Sequence, residues 1–184
     1  MTKVKTQTSN EDTPNVPTLK FFKKHPSINL PTFATEGSAC FDLSYQPMQG
    51  LNEVKGFDAH NAPINRIIGT SGVFSIMPGE RVLAPTGLIF DIPEGYSVRI
   101  HPRSGISLKK GITLPNCEGV IDWDYTDEFV IMLLNVTEEA YTVSPGDRLA
   151  QGELVKMLEY KLDETAFPPA QKTNRIGGHG STGK

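Results

Sequence analysis

From Leu19 onward the apolar residues arrive in short bursts, and Gly or Pro interrupts each one before a helical repeat can build. With 17 glycines and 14 prolines among 184 residues, the punctuation is too frequent for long helices and predicts β structure. The strongest burst covers residues 128–136. Phe129, Val130, Ile131, Met132, Leu133 and Leu134 make both alternating faces apolar there, the pattern of a strand buried on two sides. Residues 95–101 alternate cleanly and predict a half-exposed strand. Further strands are expected over 19–22, 40–45, 72–76, 81–84, 86–91, 119–121, 141–143 and 148–158. Turns such as Met77-Pro78-Gly79-Glu80, Ile92-Pro93-Glu94-Gly95 and Ser144-Pro145-Gly146-Asp147 separate them. About ten short strands at this spacing read as a sandwich or jelly roll. The single expected helix is a turn or two over 104–109.

The length fits one domain with a core large enough to fold without a disulfide or structural metal. A net charge of -3 argues against a generic nucleic-acid binder, while leaving room for a small basic pocket. Cys40 and Cys117 are the only cysteines and form no CxxC, so neither a disulfide framework nor a zinc site is predicted. No run is apolar enough for a membrane span, and the start lacks the apolar stretch of a signal peptide. The expectation is therefore a soluble, cytoplasmic protein. Residues 1–17 are polar and predict a disordered tail, 18–170 a β domain, and 171–184 a flexible Gly-rich arm.

Five polar clusters stand at strand ends: Ala39 to Leu43 around Asp42; Pro102-Arg103-Ser104-Gly105; Asn116 through Asp122 to Tyr125; Gly146 to Gln151; and Arg175 to Gly183. Singly, each has an ordinary reading. Asp42 reads as a strand-end cap or a carboxylate near a metal, and Arg148 reads more readily as a structural ion-pair partner than as a ligand contact. Arg103-Ser104-Gly105 combines a cation, a hydroxyl and an open backbone, which suits phosphate oxygens but also an ordinary turn. The run Gly178 to Lys184 nearly spells a phosphate loop, yet it lacks the Ser/Thr and the following helix that the motif requires.

Taken in order, the five clusters resemble the trimeric dUTPase family over Leu19 to Lys184, apart from one insertion. The resemblance implies an all-β, jelly-roll-like distorted barrel in a homotrimer, with active sites shared between subunits and closed by the C-terminal arm. It implies hydrolysis of dUTP to dUMP and pyrophosphate with Mg²⁺. Carried over residue by residue, Asp122 becomes the base that activates water for attack on the α-phosphorus. Tyr125 lies under the deoxyribose and excludes a 2′-hydroxyl, and Asn116 stands at the mouth of the uracil-binding hairpin. Arg103, Ser104, Gly105 and Gln151 fall on phosphate-contacting positions, and Asp42 holds the Mg²⁺ hydration shell. In the arm, Arg175 or Asn174 reaches the γ-phosphate, while His179, Gly180, Ser181 and Thr182 cover the substrate.

Departures from the family pattern are specific. Cys40 replaces a usual Gly, and His179 replaces a usual Phe, which predicts a KM for dUTP that depends on pH through the imidazole. Asp127 also replaces a Gly, and Asp tolerates the left-handed turn geometry expected there. Trp123, beside Asp122, is expected to report ligand binding by fluorescence. The insertion, about 46–71, is expected to form an extra hairpin using 64–68 as one strand. Two other functions fit parts of the pattern: a dCTP deaminase of the same fold, and a catalytically inactive trimeric interaction module. The Asp122-to-Tyr125 spacing and the Gly-rich arm favour the dUTPase.

Overall fold

The computed structural model describes residues 16–47 and 53–174. Most of the expected tail at 1–17 and arm at 171–184 lies outside these residues. Fourteen strands and one short helix follow one another: β1 (Lys20–Lys23), β2 (Thr32–Phe33), β3 (Phe41–Ser44), β4 (Glu53–Phe57), β5 (Pro63–Ile67), β6 (Phe74–Ile76), β7 (Arg81–Pro85), β8 (Leu88–Asp91), β9 (Tyr96–Pro102), α1 (Ser104–Lys110), β10 (Ile112–Thr113), β11 (Gly119–Ile121), β12 (Val130–Asn135), β13 (Tyr141–Val143) and β14 (Arg148–Lys156). Two five-stranded sheets, ordered β10-β12-β7-β4-β5 and β11-β9-β14-β3-β2, dominate, with the pairs β1-β8 and β13-β6 beside them. All pairings are antiparallel. The jelly-roll-like β fold expected from the sequence is the one observed.

Alternation explains which side chains fill the space between the sheets. Phe41 and Leu43 from β3, Val98 and Ile100 from β9, Val82 and Ala84 from β7, and Ile131 and Leu133 from β12 are all buried. Phe90 packs on Phe41 at 5.6 Å and on Phe129 at 4.5 Å between ring centroids, which ties β8 to both large sheets. Asn135 is fully buried at the end of β12, where its side chain donates to Ile76 O and Glu139 O and accepts from Thr137. A buried amide with its hydrogen bonds made fixes the turn it spans.

The expectation for 128–136 needs correcting in two respects. The strand begins at Val130, because Glu128 is engaged elsewhere: its carboxylate accepts from Gly87 N and pairs with Lys24. Only one face is covered, since Val130 and Met132 remain 38% and 39% exposed in the single chain. Similarly, 72–76 and 86–91 start as strands only at Phe74 and Leu88, because Gly72 and Gly87 take positive φ in the turns before them. The helix forms where expected, held down by Ile106 and closed by left-handed Gly111, whose N–H donates to Ser107 O.

The insertion folds as the expected hairpin. β4 and β5 pair in register from Glu53↔Ile67 to Phe57↔Pro63, and β4 also joins β7 through Gly56↔Val82 and Phe57↔Arg81. Asp58 closes the turn by accepting from the backbone N–H groups of His60 and Ala62. Arg66 of β5 pairs with buried Glu80, whose carboxylate also accepts from Met77 N. Gly56 makes the junction, because a Cβ there would stand 2.1 Å from Arg81 O.

Gly56→Ala is therefore expected to destabilise the protein by about 1–3 kcal/mol through overpacking against backbone. Gly69→Ala, with no atom within 4 Å of its Cβ position, serves as the control. Chemical denaturation of both variants checks this, and equal stabilities would refute the close-packed junction. A second expectation concerns Tyr45, fully buried, whose hydroxyl donates to Gly72 O at 2.7 Å. Burial pushes its phenol up from 10.0 to about 12. Its contribution is thus complete below pH 10 and lost as pH rises toward 12, at about 1.4 kcal/mol per pH unit. Tyr45→Phe should flatten that alkaline loss in a stability-pH profile.

Candidate functional site

Asp42 lies in β3, opposite Gln151 of β14 and Thr32 of β2. Because Phe41 and Leu43 point into the core, the Asp42 carboxylate turns to the other face of the sheet, where it is only 9% exposed. Its Oδ1 forms an ion pair with Arg103 Nε at 2.9 Å, and its Oδ2 accepts from Arg148 Nη1 at 2.9 Å. Arg103 Nη1 also donates to Arg148 O at 2.9 Å, and Gln151 Nε2 donates to Pro102 O at 3.1 Å. One carboxylate therefore orients two guanidinium groups, leaving a local excess of one positive charge. Ser104 and Gly105 open α1 beside this group, both exposed, with nothing near the Gly105 Cβ position. Fixed cations beside an open backbone and a hydroxyl have the chemistry to bind an anion. Arg148, expected more readily as an ion-pair partner, is found in that role.

The second group surrounds a cleft of about 450 Å³ whose lining includes Ile100, Leu114, Asn116, Gly119, Asp122 and Tyr125. The floor is apolar and the rim carries amide and carboxylate groups. β11 reaches the cleft by pairing with β9 through Gly119↔Ile100 and Ile121↔Val98. Before it, Cys117 takes φ 61 and its N–H donates to Leu114 O, turning the chain at Asn116. After it, Tyr125 N–H donates to Asp122 O at 3.2 Å and closes the hairpin tip. The Tyr125 hydroxyl donates to Glu128 O at 3.1 Å, while its ring packs 6.0 Å from Phe129. Burial, and then the charges of Asp127 and Glu128, push this phenol above its usual range, so it stays a protonated donor at neutral pH.

Among the described non-glycine residues only Asn61 and Cys117 have positive φ. The left-handed geometry expected at Asp127 is therefore absent, and the positive φ at Cys117 belongs to the separate turn that precedes β11. Trp123 does not line the cleft. Adjacent side chains diverge at the hairpin tip, and Trp123 faces a neighbouring groove with Phe22, Ile89 and Asp91 that shares Tyr125. Sequence reasoning missed the apolar floor from Ile100 and Leu114, whose ordinary core alternation carries no separate signal. Arg175, His179, Gly180, Ser181 and Thr182 lie outside the described residues, and Asn174 is exposed.

The two groups do not converge within one chain. Ile121 pairs with Val98, and Val98 precedes Arg103 by five residues of extended chain, roughly 16 Å at ~3.3 Å per residue. Asp122 thus projects from one end of β9 and the arginine group from the other.

A family model described as dUTPase matches residues 70–183. The chain is 34% identical over 164 residues to the deoxyuridine 5'-triphosphate nucleotidohydrolase of Caulobacter vibrioides, covering 89% of this chain and 92% of that one. It is 41% identical over 142 residues to the protein of the same name from Finegoldia magna, covering 71% and 99%. Among solved structures, a mutant Staphylococcus bacteriophage 80alpha dUTPase with dUpNHpp superimposes with a TM-score of 0.70 at 18% identity, covering 92% of this chain and all of that one.

Asp42→Asn should cost about 1–3 kcal/mol, because both arginines lose an ionised acceptor at a nearly buried position. Arg148→Ala should cost less, since that side chain is 55% exposed and already partly solvated. Thermal melts of both variants check the ranking, and a larger loss from Arg148→Ala would contradict the central place of the carboxylate.

Proposed function

The chain belongs to the dUTPase family, and we propose from this that it hydrolyses dUTP to dUMP and pyrophosphate, with Asp122 as the base that activates water. The observation that carries the proposal is the cleft that Asn116, Asp122 and Tyr125 line together above an apolar floor. A flat pyrimidine suits such a floor, and its polar edge suits the hairpin backbone near Asn116. Tyr125, tied at both its backbone N–H and its hydroxyl, is held firmly enough to act as a steric gate under the deoxyribose. Asp122 is exposed at the hairpin tip, free to accept a proton from water. In the proposed step the water oxygen bonds the α-phosphorus, the bond to the bridging oxygen breaks, and pyrophosphate leaves.

Arg103, Ser104, Gly105 and Gln151 are assigned to the phosphates. Arg103 is already oriented by Asp42, so little side-chain freedom is lost when an anion arrives. The distance along β9 between Asp122 and this group supports a homotrimer in which one subunit presents the base and another the phosphate contacts. The exposed apolar face of Val130 and Met132 supplies a surface for that assembly. The C-terminal residues Arg175 or Asn174, His179, Gly180, Ser181 and Thr182 are assigned to closing the site. A nucleotide-pool reaction of this kind suits the cytoplasm, which is the proposed location.

Mg²⁺ belongs to the proposal as well. Asp42 Oδ2 accepts one guanidinium hydrogen bond and Oδ1 pairs with the second guanidinium, so each oxygen keeps lone-pair capacity, a donor set that fits the water shell of a hydrated ion better than direct ligation. When bound, the ion offsets negative charge on the triphosphate.

The test separates products. Purified protein with Mg²⁺ should convert dUTP, and not dCTP, to dUMP and pyrophosphate. Asp122→Asn should lower kcat by about 10²–10⁴ with a small change in KM. Ammonia released from dCTP, or full activity in Asp122→Asn, would overturn the assignment.

A further inference from the structure

Beside the arginine group, on the outward face of the same sheet, three metal-ligating side chains meet. Cys40 immediately precedes β3, His101 lies in β9 and Glu153 in β14, and one donor atom from each lies within 4.8 Å of the others. This is the only such group among the described residues. The strand register produces it: Gly152 pairs with both Phe41 and Ile100, so the residues flanking those positions project together on the opposite face. His101 Nε2 stands 3.3 Å from Glu153 Oε2, while Nδ1 faces Glu118 Oε1 at 3.6 Å. One imidazole nitrogen therefore points into the group and the other toward an outer carboxylate. Metal-binding histidines use this arrangement to fix the tautomer and aim the ring.

We propose that Cys40, His101 and Glu153 form a site for a thiophilic divalent cation of the zinc class, with Glu118 as the outer partner that orients His101. A thiolate, an imidazole and a carboxylate form a mixed S, N and O set that selects zinc-like ions over magnesium, which prefers oxygen alone. All three side chains are half-buried, so an ion arriving from solvent keeps a water as its fourth ligand. Zinc-type bonds of ~2.0–2.3 Å require donor separations of roughly 3.5 Å, a contraction of about an ångström that side-chain rotation supplies. Cys40 binds as thiolate and its proton leaves to solvent. In the metal-free chain, burial and the Glu153 charge hold that thiol protonated. Arg99, the register partner of Glu153, stands 3.4 Å from Glu118 and competes for the outer carboxylate.

The ligands lie on or immediately beside three neighbouring strands, and each is two residues from a member of the arginine group: Cys40 from Asp42, His101 from Arg103, and Glu153 from Gln151. A bound ion therefore clamps the strands that carry the anion-binding surface. It stabilises the folded chain by linkage, independently of catalysis.

Co²⁺ added to the full-length, metal-stripped protein supplies the test. One ion per chain is expected, with a thiolate-to-cobalt charge-transfer band that Zn²⁺ bleaches and excess Mg²⁺ does not. Cys40→Ser and His101→Gln should each abolish the band while far-ultraviolet circular dichroism stays unchanged, and Cys117→Ser should retain it. Glu118→Gln should weaken Co²⁺ binding about 10–100-fold. Zn²⁺ should raise the melting temperature of the unmodified protein and not of Cys40→Ser. Absence of the band, its survival in Cys40→Ser or His101→Gln, or its displacement by Mg²⁺ would overturn the site.

Discussion

The placement of β14 between β9 and β3 is the constraint on which the rest of the molecule depends. β14 is the longest strand, pairing with β9 over seven positions and with β3 on its other side. Gly152 makes this possible, since a Cβ there would lie 2.5 Å from the Phe41 ring. Any side chain at 152 would push Phe41 out of its stack on Phe90 and shift β3 relative to β14. That register sets Asp42 opposite Gln151, and Gln151 opposite His101. The arginine group and the Cys40, His101 and Glu153 group are both consequences of it.

Electrostatics follow from this geometry rather than from composition. The chain carries a formal charge of -3, yet Asp42 gathers two guanidinium groups at one sheet end and leaves a positive surface there. A nearly buried carboxylate between two arginines contributes modestly to stability, because desolvation offsets much of the Coulomb attraction. Its larger effect is orientation. Arg103 is held at Nε by Asp42 and at Nη1 by the Arg148 carbonyl, which leaves little rotamer freedom to lose on meeting an anion.

The strands were legible wherever apolar alternation ran for four residues or more, as in β9 and β14, and the short helix was legible from its place between Arg103 and Gly111. The two-residue strands β2 and β10 were not, because so short a pairing carries no periodic signal and depends on its neighbour. β4 was missed for a different reason: Glu53-Val54-Lys55-Gly56-Phe57 contains a glycine that reads as a break, although the close approach of Arg81 is what requires it. That Asp122, Asn116 and Tyr125 line one cleft was legible, because a motif orders them along the chain. Glu118, His101 and Glu153 were not, since their meeting depends on strand register, which ordering along the chain does not encode. Asp127 misled because a substitution at a usual glycine position was taken to keep that glycine's backbone geometry. The turn after β11 contains no positive-φ residue, and the positive φ at Cys117 serves a different turn before that strand.

The division of groups along β9 carries the last step. A strand is stiff over its length, so side chains at its two ends cannot close on one small molecule without breaking the ladders on both sides. Nothing in the sheet offers a hinge, because β9 is paired to β11 on one edge and to β14 on the other. A single chain therefore cannot bring Asp122 to the surface built by Arg103 and Gln151 by internal motion. The proposed assembly meets this constraint, because Asp122 of one copy would face the cations of another and the open face of β12 would lie against a neighbour. In that arrangement the rigidity that separates the two groups in one chain becomes the feature that fixes their distance across the interface.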